Sequence, residues 1–153
     1  MPGPFVVPVH GDVDLPAKVD VVVIGGGIIG CSTALELAER GMTVALCEKG
    51  GIGHEQSSRN WGWVRITRRD PREVPLMAEA LRIWPDLAKR TGRDLGYTQA
   101  GVAFACANDT EFEEHERWLE NLKDYQIDSR MVSGREFKEL FPGSEMEVKG
   151  ALF

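Results

Sequence analysis

The sequence predicts an α/β fold that opens with a parallel βαβ unit. Residues 19–24 form an apolar run rich in β-branched side chains, which is typical of a buried parallel strand. A cluster of glycines follows, and the apolar residues after it have the spacing of a helix over about residues 28–40, with Gly41 as its C′ residue. A second strand over residues 43–47 then ends at Glu48. The order of strand, tight turn, helix and strand predicts a Rossmann-type unit.

The glycines of the turn have the spacing Gly25-x-Gly27-x-x-Gly30. Gly25 allows the turn, Gly27 lets the backbone approach a phosphate, and Gly30 lets the helix pack closely on the strand. The helix that begins at Ile28 and Ile29 directs its free N–H groups and the positive end of its dipole towards an anion. The spacing therefore predicts a site for the pyrophosphate of a dinucleotide.

Two charged residues, Glu48 and Lys49, follow the second strand. A carboxylate at this position accepts hydrogen bonds from the hydroxyls of an adenosine ribose. The alternative is a glycine-rich turn in a βαβ unit of another kind, and Glu48 weighs against it. We therefore expect Glu48 to bind the ribose of the dinucleotide.

A second informative stretch, residues 53–65, is polar and includes Trp61 and Trp63. Its small hydroxyls, amide, guanidinium and close-approach glycine suit a segment that covers a cofactor, because they can donate to phosphate oxygens and to the polar edge of a flavin ring. The alternative is a structural loop that the two tryptophans anchor to the core. Arg65 is interpreted more readily as a surface cation than as a residue near the cofactor, and a covalent link between His54 and a cofactor is disfavoured. The candidate cofactor-binding residues of this stretch are Ser57, Ser58, Arg59, Asn60 and Gly62.

Length and composition limit the function classes. With 153 residues, 42% of them hydrophobic, the chain can form one ordinary domain with a core. A net charge of −6 argues against a dedicated nucleic-acid binder. No stretch is long and apolar enough to predict a transmembrane segment. Residues 1–18 lack the pattern of a secretory signal, and their prolines predict an extended arm.

The cysteines Cys31, Cys47 and Cys106 form no C-x-x-C pair, which indicates a reduced, cytoplasmic protein. No metal site is expected. His54-Glu55 does not begin a zinc motif, because Ser58 stands where the second histidine is needed. His115 lies among charged residues of a predicted helix whose glutamates are interpreted as a solvated face, namely Glu111, Glu113, Glu114, Glu116 and Glu120.

The remaining elements follow from local signals. Asp70-Pro71 opens a helix that Pro85 either kinks or divides, and residues 96–99 and 102–105 are expected to form a hairpin or a bent pair of strands. Asn108 begins a helix to about residue 125, and residues 127–132 form a short strand. Ser133 and Glu136 form a capping box, which opens a helix with Phe137, Leu140 and Phe141 directed inward. A last strand begins near residue 148.

At Gly25–Gly30, Glu48-Lys49 and Ser57–Gly62 the sequence resembles the D-amino-acid oxidase-like family of FAD-dependent oxidoreductases. The resemblance extends more loosely from residue 19 onward. It implies FAD as the cofactor, a small-molecule amine or amino acid as the substrate, and oxidation of a C–N bond with hydride transfer to flavin N5. It also implies an N-terminal part of an FAD-binding domain at 19–94 and the beginning of an α+β substrate domain at 95–153.

The family's chains are more than twice as long as this one. The resemblance therefore implies an N-terminal portion with little activity alone, and a second chain is one way to supply the rest of the fold. It identifies no catalytic residue. Two alternatives remain: an NAD-dependent dehydrogenase, which uses the same glycine pattern, and a non-catalytic FAD-domain fragment or subunit.

Overall fold

The computed structural model describes residues 5–153, and the chain divides into two compact units, Met1–Trp63 and Val64–Phe153. Residues 5–18 of the predicted arm have neither helix nor strand and are mostly exposed, whereas residues 1–4 of that arm lie outside the described residues. The boundary between the units lies at Trp63, well before the predicted domain boundary at residue 94. The assignment of 19–94 to cofactor binding and of 95–153 to substrate binding stays a prediction.

The first unit is built on a parallel βαβ unit. Strand β1 (Val21–Ile24) leads through the glycine turn into helix α1 (Ile28–Glu39), and strand β2 (Val44–Cys47) pairs with β1 in parallel, with Val21 opposite Val44 and Ile24 opposite Cys47. A short helix α2 (Gln56–Arg59) completes the unit. The predicted order of elements is confirmed.

Both strands begin slightly later than the sequence predicts. Asp20 and Thr43 precede them, and the Asp20 carboxylate accepts hydrogen bonds from the N–H and the hydroxyl of Thr43 at 2.9 and 2.6 Å. These bonds lower the pKa of Asp20, the hydroxyl bond contributing most. Helix α1 ends at the predicted turn, where Gly41 has a φ of +82° and donates its N–H to the carbonyl of Ala38.

One face of the two-stranded sheet is apolar and exposed. Val22 and Ile24 of β1 are 56% and 89% exposed, whereas the alternate residues Val21 and Val23 are half-buried. Cys47, the register partner of Ile24, is exposed on the same face. Parallel sheets normally have both faces covered.

The second unit combines helices with a three-stranded antiparallel sheet. A 3₁₀ turn (Pro71–Glu73) leads into α3 (Val74–Thr91), followed by β3 (Phe104–Cys106), α4 (Asp109–Leu119) and a second 3₁₀ turn (Glu120–Leu122). The unit ends with β4 (Met131–Ser133), α5 (Gly134–Leu140) and β5 (Gly150–Leu152). The strand order is β3-β5-β4, so the last strand is the central one and all three of its residues are buried.

Three side-chain caps begin the helices of this unit as the sequence predicts. Asp70 accepts from the N–H of Arg72, Asn108 from that of Glu111, and Ser133 from that of Glu136. Helix α3 continues through Pro85, so the alternative of a new helix beginning at that proline is wrong.

Two hydrophobic clusters hold the second unit together. The buried residues of the first are Ile66, Val74, Ala78 and Leu122, with Trp118, Tyr125 and Ile127 packed against them. Those of the second are Val132, Phe137 and Ala151. Leu140 is 39% exposed, so its predicted inward position is wrong, whereas Phe137 and Phe141 do pack in this cluster.

The predicted hairpin of residues 96–99 and 102–105 is also wrong. Residues 96–99 form no strand, and β3 pairs instead with β5, from which it is separated by more than forty residues. Gly96 and Gly101 have positive φ angles, and the Gly96 N–H bonds to the side chain of Asp94, so local turns replace the strand. The predicted strand at 127–132 is shorter because the Ile127 N–H closes a tight turn onto the Tyr125 carbonyl.

Candidate functional site

The first turn of α1 presents backbone donors at an open end. Gly27 is the N-cap residue and supplies no side-chain cap. The N–H of Ile28 donates to the Ser57 hydroxyl oxygen at 2.9 Å. Helix geometry leaves the N–H groups of Ile29 and Gly30 without intrahelical acceptors, and Ile29 is exposed. An anion placed here receives these donors and the positive end of the helix dipole.

Gly27 and Gly30 are two positions of the glycine turn where an added Cβ would come closer than 3.0 Å to a neighbouring atom. A Cβ on Gly30 would lie 1.8 Å from the Gly25 carbonyl oxygen, and a Cβ on Gly27 would lie 2.9 Å from the Ser57 hydroxyl oxygen. Gly25 itself has a φ of +105°, which side-chain-bearing residues rarely adopt. The glycines therefore occupy the positions where the backbone turns and where helix and strand approach each other.

Glu48 at the end of β2 is tied to the same turn. Its two carboxylate oxygens accept the N–H of Gly26 at 2.7 Å and that of Gly50 at 2.8 Å. These bonds lower the pKa of Glu48, with Gly26 as the largest cause and Gly50 the next, so the group is a carboxylate at neutral pH. Each carboxylate oxygen has a second lone pair, so the half-buried side chain can still accept a hydroxyl.

Gly26 is a site residue that the sequence reasoning missed. It occupies a variable position of the glycine pattern, yet it is buried, and a Cβ there would lie 2.3 Å from Ile52 Cδ1. Its carbonyl accepts the N–H of Gly53 at 2.8 Å, which joins the second glycine-rich turn to the first. The signal in the sequence is the pair of glycine clusters, at 25–27 and at 50–53.

Ser57 lies at the N-terminal end of α1. The next three candidate residues, Ser58, Arg59 and Asn60, form their hydrogen bonds and ion pair within their own segment. The Ser58 hydroxyl donates to the carbonyl of Glu55, and Arg59 pairs with the Glu55 carboxylate at 3.0 Å. The Asn60 side chain donates to the Ser57 carbonyl at 2.5 Å and accepts the N–H of Gly62 at 2.6 Å. The structure thus brings together Gly25–Gly30, Glu48 and Ser57, while Ser58, Arg59 and Asn60 shape the turn that follows. Lys49 is exposed beside Glu48.

The two tryptophans of this segment are not anchors in a core. Trp61 is 84% exposed and Trp63 is 55% exposed. Their rings contact each other edge to face, with centroids 5.7 Å apart. Within residues 5–153 neither tryptophan is buried, so the structure of this range does not hold the segment by buried tryptophans, and its role in cofactor binding stays a prediction.

These features fit a dinucleotide. The absence of a side chain at Gly27 leaves the backbone open to close approach by a phosphate, and its absence at Gly30 lets α1 pack against the Gly25 carbonyl. The open N–H groups of α1 suit the pyrophosphate, and the Glu48 carboxylate suits a ribose.

Comparison with known proteins identifies the family. The model of the FAD-dependent oxidoreductase family known as DAO matches residues 20–153. The chain belongs to this family. Human mitochondrial sarcosine dehydrogenase is 34% identical over 130 residues, which is 84% of this chain and 14% of that protein. Glycine oxidase from Geobacillus kaustophilus is 33% identical over 104 residues, 63% of this chain and 28% of that protein.

Solved structures of the DAO family share the fold. L-Amino acid deaminase from Proteus myxofaciens superimposes with a TM-score of 0.85 at 30% identity, and the match covers 98% of this chain and 34% of that one. This chain thus spans about a third or less of the length of these three proteins. The cofactor of the DAO family is FAD, which decides between the FAD and NAD alternatives left open by the sequence.

Arg65 in the second unit is more enclosed than a surface cation. Its guanidinium lies over the Phe104 ring at 5.2 Å from the centroid and donates to the carbonyl of Thr67. Burial lowers the pKa of Arg65, and the nearby charges of Arg69 and Arg68 lower it further. The interpretation of Arg65 as an ordinary surface cation is therefore wrong.

A cysteine and a histidine form a buried pair in the same unit. Cys106 is fully buried, and its sulfur lies 3.4 Å from His115 Nδ1. That nitrogen is 2.6 Å from the Glu111 carbonyl oxygen, which can only accept, so Nδ1 carries a proton and cannot take one from the thiol. Burial also raises the pKa of Cys106. The pair is therefore no activated nucleophile, and His115 is buried although the helix that bears it is rich in charged residues.

Within residues 5–153 no three His, Cys, Asp or Glu side chains come together as a metal site. None of the helices in this range is long and apolar enough to cross a membrane.

Proposed function

We propose that the first unit binds the adenosine diphosphate half of FAD. The observation that carries the proposal is the joint geometry of Glu48 and the glycine turn, since the carboxylate bonds to the Gly26 N–H beside the open end of α1. In this assignment Ile29 and Gly30 donate to the pyrophosphate and Glu48 accepts from the ribose. The Ser57 hydroxyl accepts from Ile28 and keeps its own proton to donate to a phosphate oxygen.

Binding of ADP, FAD and NAD measured by calorimetry tests this assignment. FAD and ADP are expected to bind, and Glu48→Gln is expected to weaken both, because the amide loses the charge and one of its two acceptor oxygens. Glu55→Gln is the matched control, since Glu55 pairs with Arg59 in the same unit and is not assigned to the cofactor. Equal affinities of the wild type and Glu48→Gln would contradict the ribose assignment.

We propose that the whole protein oxidises a C–N bond of a small-molecule amine or amino acid. Support comes from the relatives, which are named sarcosine dehydrogenase, glycine oxidase and L-amino acid deaminase. Bound FAD supplies the acceptor for the hydride that leaves the carbon beside the nitrogen. The resulting imine is then hydrolysed by water.

Bleaching of flavin absorbance under anaerobic conditions, on addition of sarcosine, glycine or an L-amino acid to the whole protein, tests the substrate class. We expect little or no turnover by these 153 residues alone. Steady oxidation of an amine by the purified chain would refute that expectation.

We further propose that the part of the DAO fold outside residues 20–153 packs on the exposed face of the β1–β2 sheet. Val22 and Ile24 give this face an apolar surface, and a two-stranded parallel sheet needs a cover on each side. The match leaves about two thirds of the solved deaminase chain uncovered, which is long enough to supply a cover for this face.

Co-expression with the part of the Geobacillus kaustophilus glycine oxidase chain that lies outside the match tests this proposal. The two polypeptides are expected to elute together, and Ile24→Lys is expected to separate them. Leu76→Lys, at an exposed apolar position of α3, is the control and should leave co-elution intact. Co-elution that survives Ile24→Lys would refute the assignment of this face.

A cytoplasmic location is a further proposal, supported by three cysteines that form no disulfide in the structure. The relatives include a mitochondrial protein, so fractionation of cells that express the native gene is the appropriate test.

A further inference from the structure

The carbonyl group of Gly26 is a buried acceptor in the glycine turn. Gly26 precedes the N-cap residue Gly27, so its carbonyl oxygen takes no part in the hydrogen bonds within α1. It accepts instead the N–H of Gly53 at 2.8 Å and the thiol of Cys31 at 3.3 Å. A carbonyl oxygen can only accept, so the Cys31 sulfur carries the proton of this contact. Two donors thus satisfy both lone pairs of this oxygen.

Helix geometry brings the Cys31 thiol to this oxygen. Cys31 lies in the first turn of α1, and its N–H donates to the carbonyl of the N-cap residue Gly27 at 2.9 Å. Side chains of an α-helix tilt towards its N-terminus, so the sulfur reaches back to the carbonyl of Gly26. Cys31 therefore bonds to two successive carbonyls, to one with its backbone and to the other with its side chain.

The peptide bond between Gly26 and Gly27 has little conformational preference of its own. Its orientation depends on ψ of Gly26 and φ of Gly27, and neither residue has a Cβ that restricts these angles. Donors from elsewhere in the chain must therefore fix it. Because the peptide is planar and trans, the Gly27 N–H points away from the Gly26 carbonyl oxygen. The two donors to that oxygen thus set the direction of the Gly27 N–H, which is one of the N–H groups that a helix leaves without an intrahelical acceptor.

We propose that Cys31 is a positioning residue of the cofactor site, whose thiol fixes the Gly26–Gly27 peptide so that the Gly27 N–H is directed at the pyrophosphate. The inference rests on the proposed FAD site. In Cys31→Ala only Gly53 still donates to the Gly26 oxygen, so the peptide can rotate. The Kd for ADP and for FAD should rise by roughly 2- to 5-fold, as expected for the loss of one weak hydrogen bond.

The ribose contact should not change in this variant. The Glu48 carboxylate accepts the N–H of Gly26, and that N–H belongs to the preceding peptide, between Gly25 and Gly26. Rotation of the Gly26–Gly27 peptide leaves this bond in place. A ligand that has the ribose but lacks the phosphates should therefore bind equally well to the wild type and to Cys31→Ala.

Titration with ADP by calorimetry and with adenosine by NMR tests this role. Cys31→Ala should bind ADP more weakly and adenosine as the wild type does, whereas a merely structural role of Cys31 would weaken both by the same factor. Cys31→Ser supplies a hydroxyl donor and should bind ADP more tightly than Cys31→Ala. Thr33→Ala is the matched control, because the Thr33 hydroxyl also donates to a carbonyl of α1, that of Ile29 at 2.8 Å, and does not bond to the Gly26–Gly27 peptide.

The possible failures are distinguishable. A wild type that binds neither ADP nor FAD would refute the proposed FAD site, and the role of Cys31 with it. If the wild type binds ADP, three results refute only the role of Cys31. These are an unchanged Kd for ADP in Cys31→Ala, an equal loss for ADP and adenosine, and ADP binding by Cys31→Ser that is no tighter than by Cys31→Ala. An equal loss of ADP affinity in Thr33→Ala and Cys31→Ala would also refute it.

Discussion

The substitution Gly30→Ala adds one methyl group at the point where α1 passes closest to the glycine turn. The new Cβ would lie 1.8 Å from the carbonyl oxygen of Gly25 and 3.0 Å from its carbonyl carbon. Both are backbone atoms, so no side-chain rotation relieves the clash. Either the helix or the turn must shift by roughly 1 Å, and this shift also displaces the N–H groups proposed to bind the pyrophosphate.

Two opposing contributions set the change in the free energy of unfolding caused by Gly30→Ala. Overpacking a tightly packed site costs about 1–3 kcal/mol, and a clash with backbone lies at the upper end of that range. Replacing a helical glycine by alanine otherwise gains roughly 0.5–1 kcal/mol. We therefore expect a net loss of about 2 kcal/mol, or a Tm lower by roughly 10 °C for a unit of this size.

Thermal unfolding and FAD binding, measured on a graded series of glycine variants, check this prediction. Gly30→Ala should lower the Tm most, Gly27→Ala less, because its Cβ meets only the rotatable hydroxyl of Ser57, and Gly11→Ala least, because open space surrounds Gly11. FAD affinity should follow the same order. A Gly30→Ala protein with the Tm and the FAD affinity of the Gly11→Ala control would refute the close-approach argument.

Three further predictions concern single side chains. Ser57→Ala should weaken FAD binding by roughly 2- to 10-fold, because it removes an acceptor from the first N–H of α1, whereas Ser58→Ala should change it less; calorimetry on both variants checks this. Hydrogen bonding lowers the pKa of Glu48, so its contribution to stability is present above the ordinary pKa of 4.5 and is lost as the pH falls through the lower folded value. Glu48→Gln should accordingly lose less stability on acidification than the wild type, as measured by denaturant unfolding at several pH values; parallel curves would contradict this. Leu152→Ala, at a fully buried position of the central strand, should lower the free energy of unfolding by about 2–5 kcal/mol, and a loss below 1 kcal/mol in chemical denaturation would contradict the core position.

The sequence predicted the βαβ unit because its signals are local. The apolar run, the glycine spacing and the acid after β2 lie within thirty residues, and each has one dominant structural explanation. The capping residues Asp70, Asn108 and Ser133 were predictable for the same reason, since a cap bonds to an N–H two or three residues away.

The antiparallel sheet of the second unit was not predictable in this way. Strand β3 pairs with β5, and the intervening chain contains α4, β4 and α5. Each of these strands is three residues long, too short for an alternating pattern to identify a partner. The residues of the predicted hairpin have the propensity to form strands. Pairing with β5, which is distant in the sequence, determines which of them form β3.

The burial of His115 shows a related limit. Its neighbours Glu113, Glu114, Glu116 and Arg117 are charged and exposed, so a sequence reading places the whole stretch at the surface. The helix face turned towards Cys106 is nevertheless buried, and the Glu111 carbonyl satisfies the polar ring nitrogen there. The burial of a single polar residue such as His115 can be predicted only once the strand that packs against its helix is known.

The absorbance spectrum of the protein, equilibrated with FAD and passed through a desalting column, is the most direct test of the central claim that this chain holds FAD at the glycine turn and Glu48. The wild type is expected to keep flavin bands near roughly 370 and 450 nm, and Gly30→Ala is expected to lose them. A wild-type protein that emerges colourless, or one that retains NAD but not FAD, would contradict the claim.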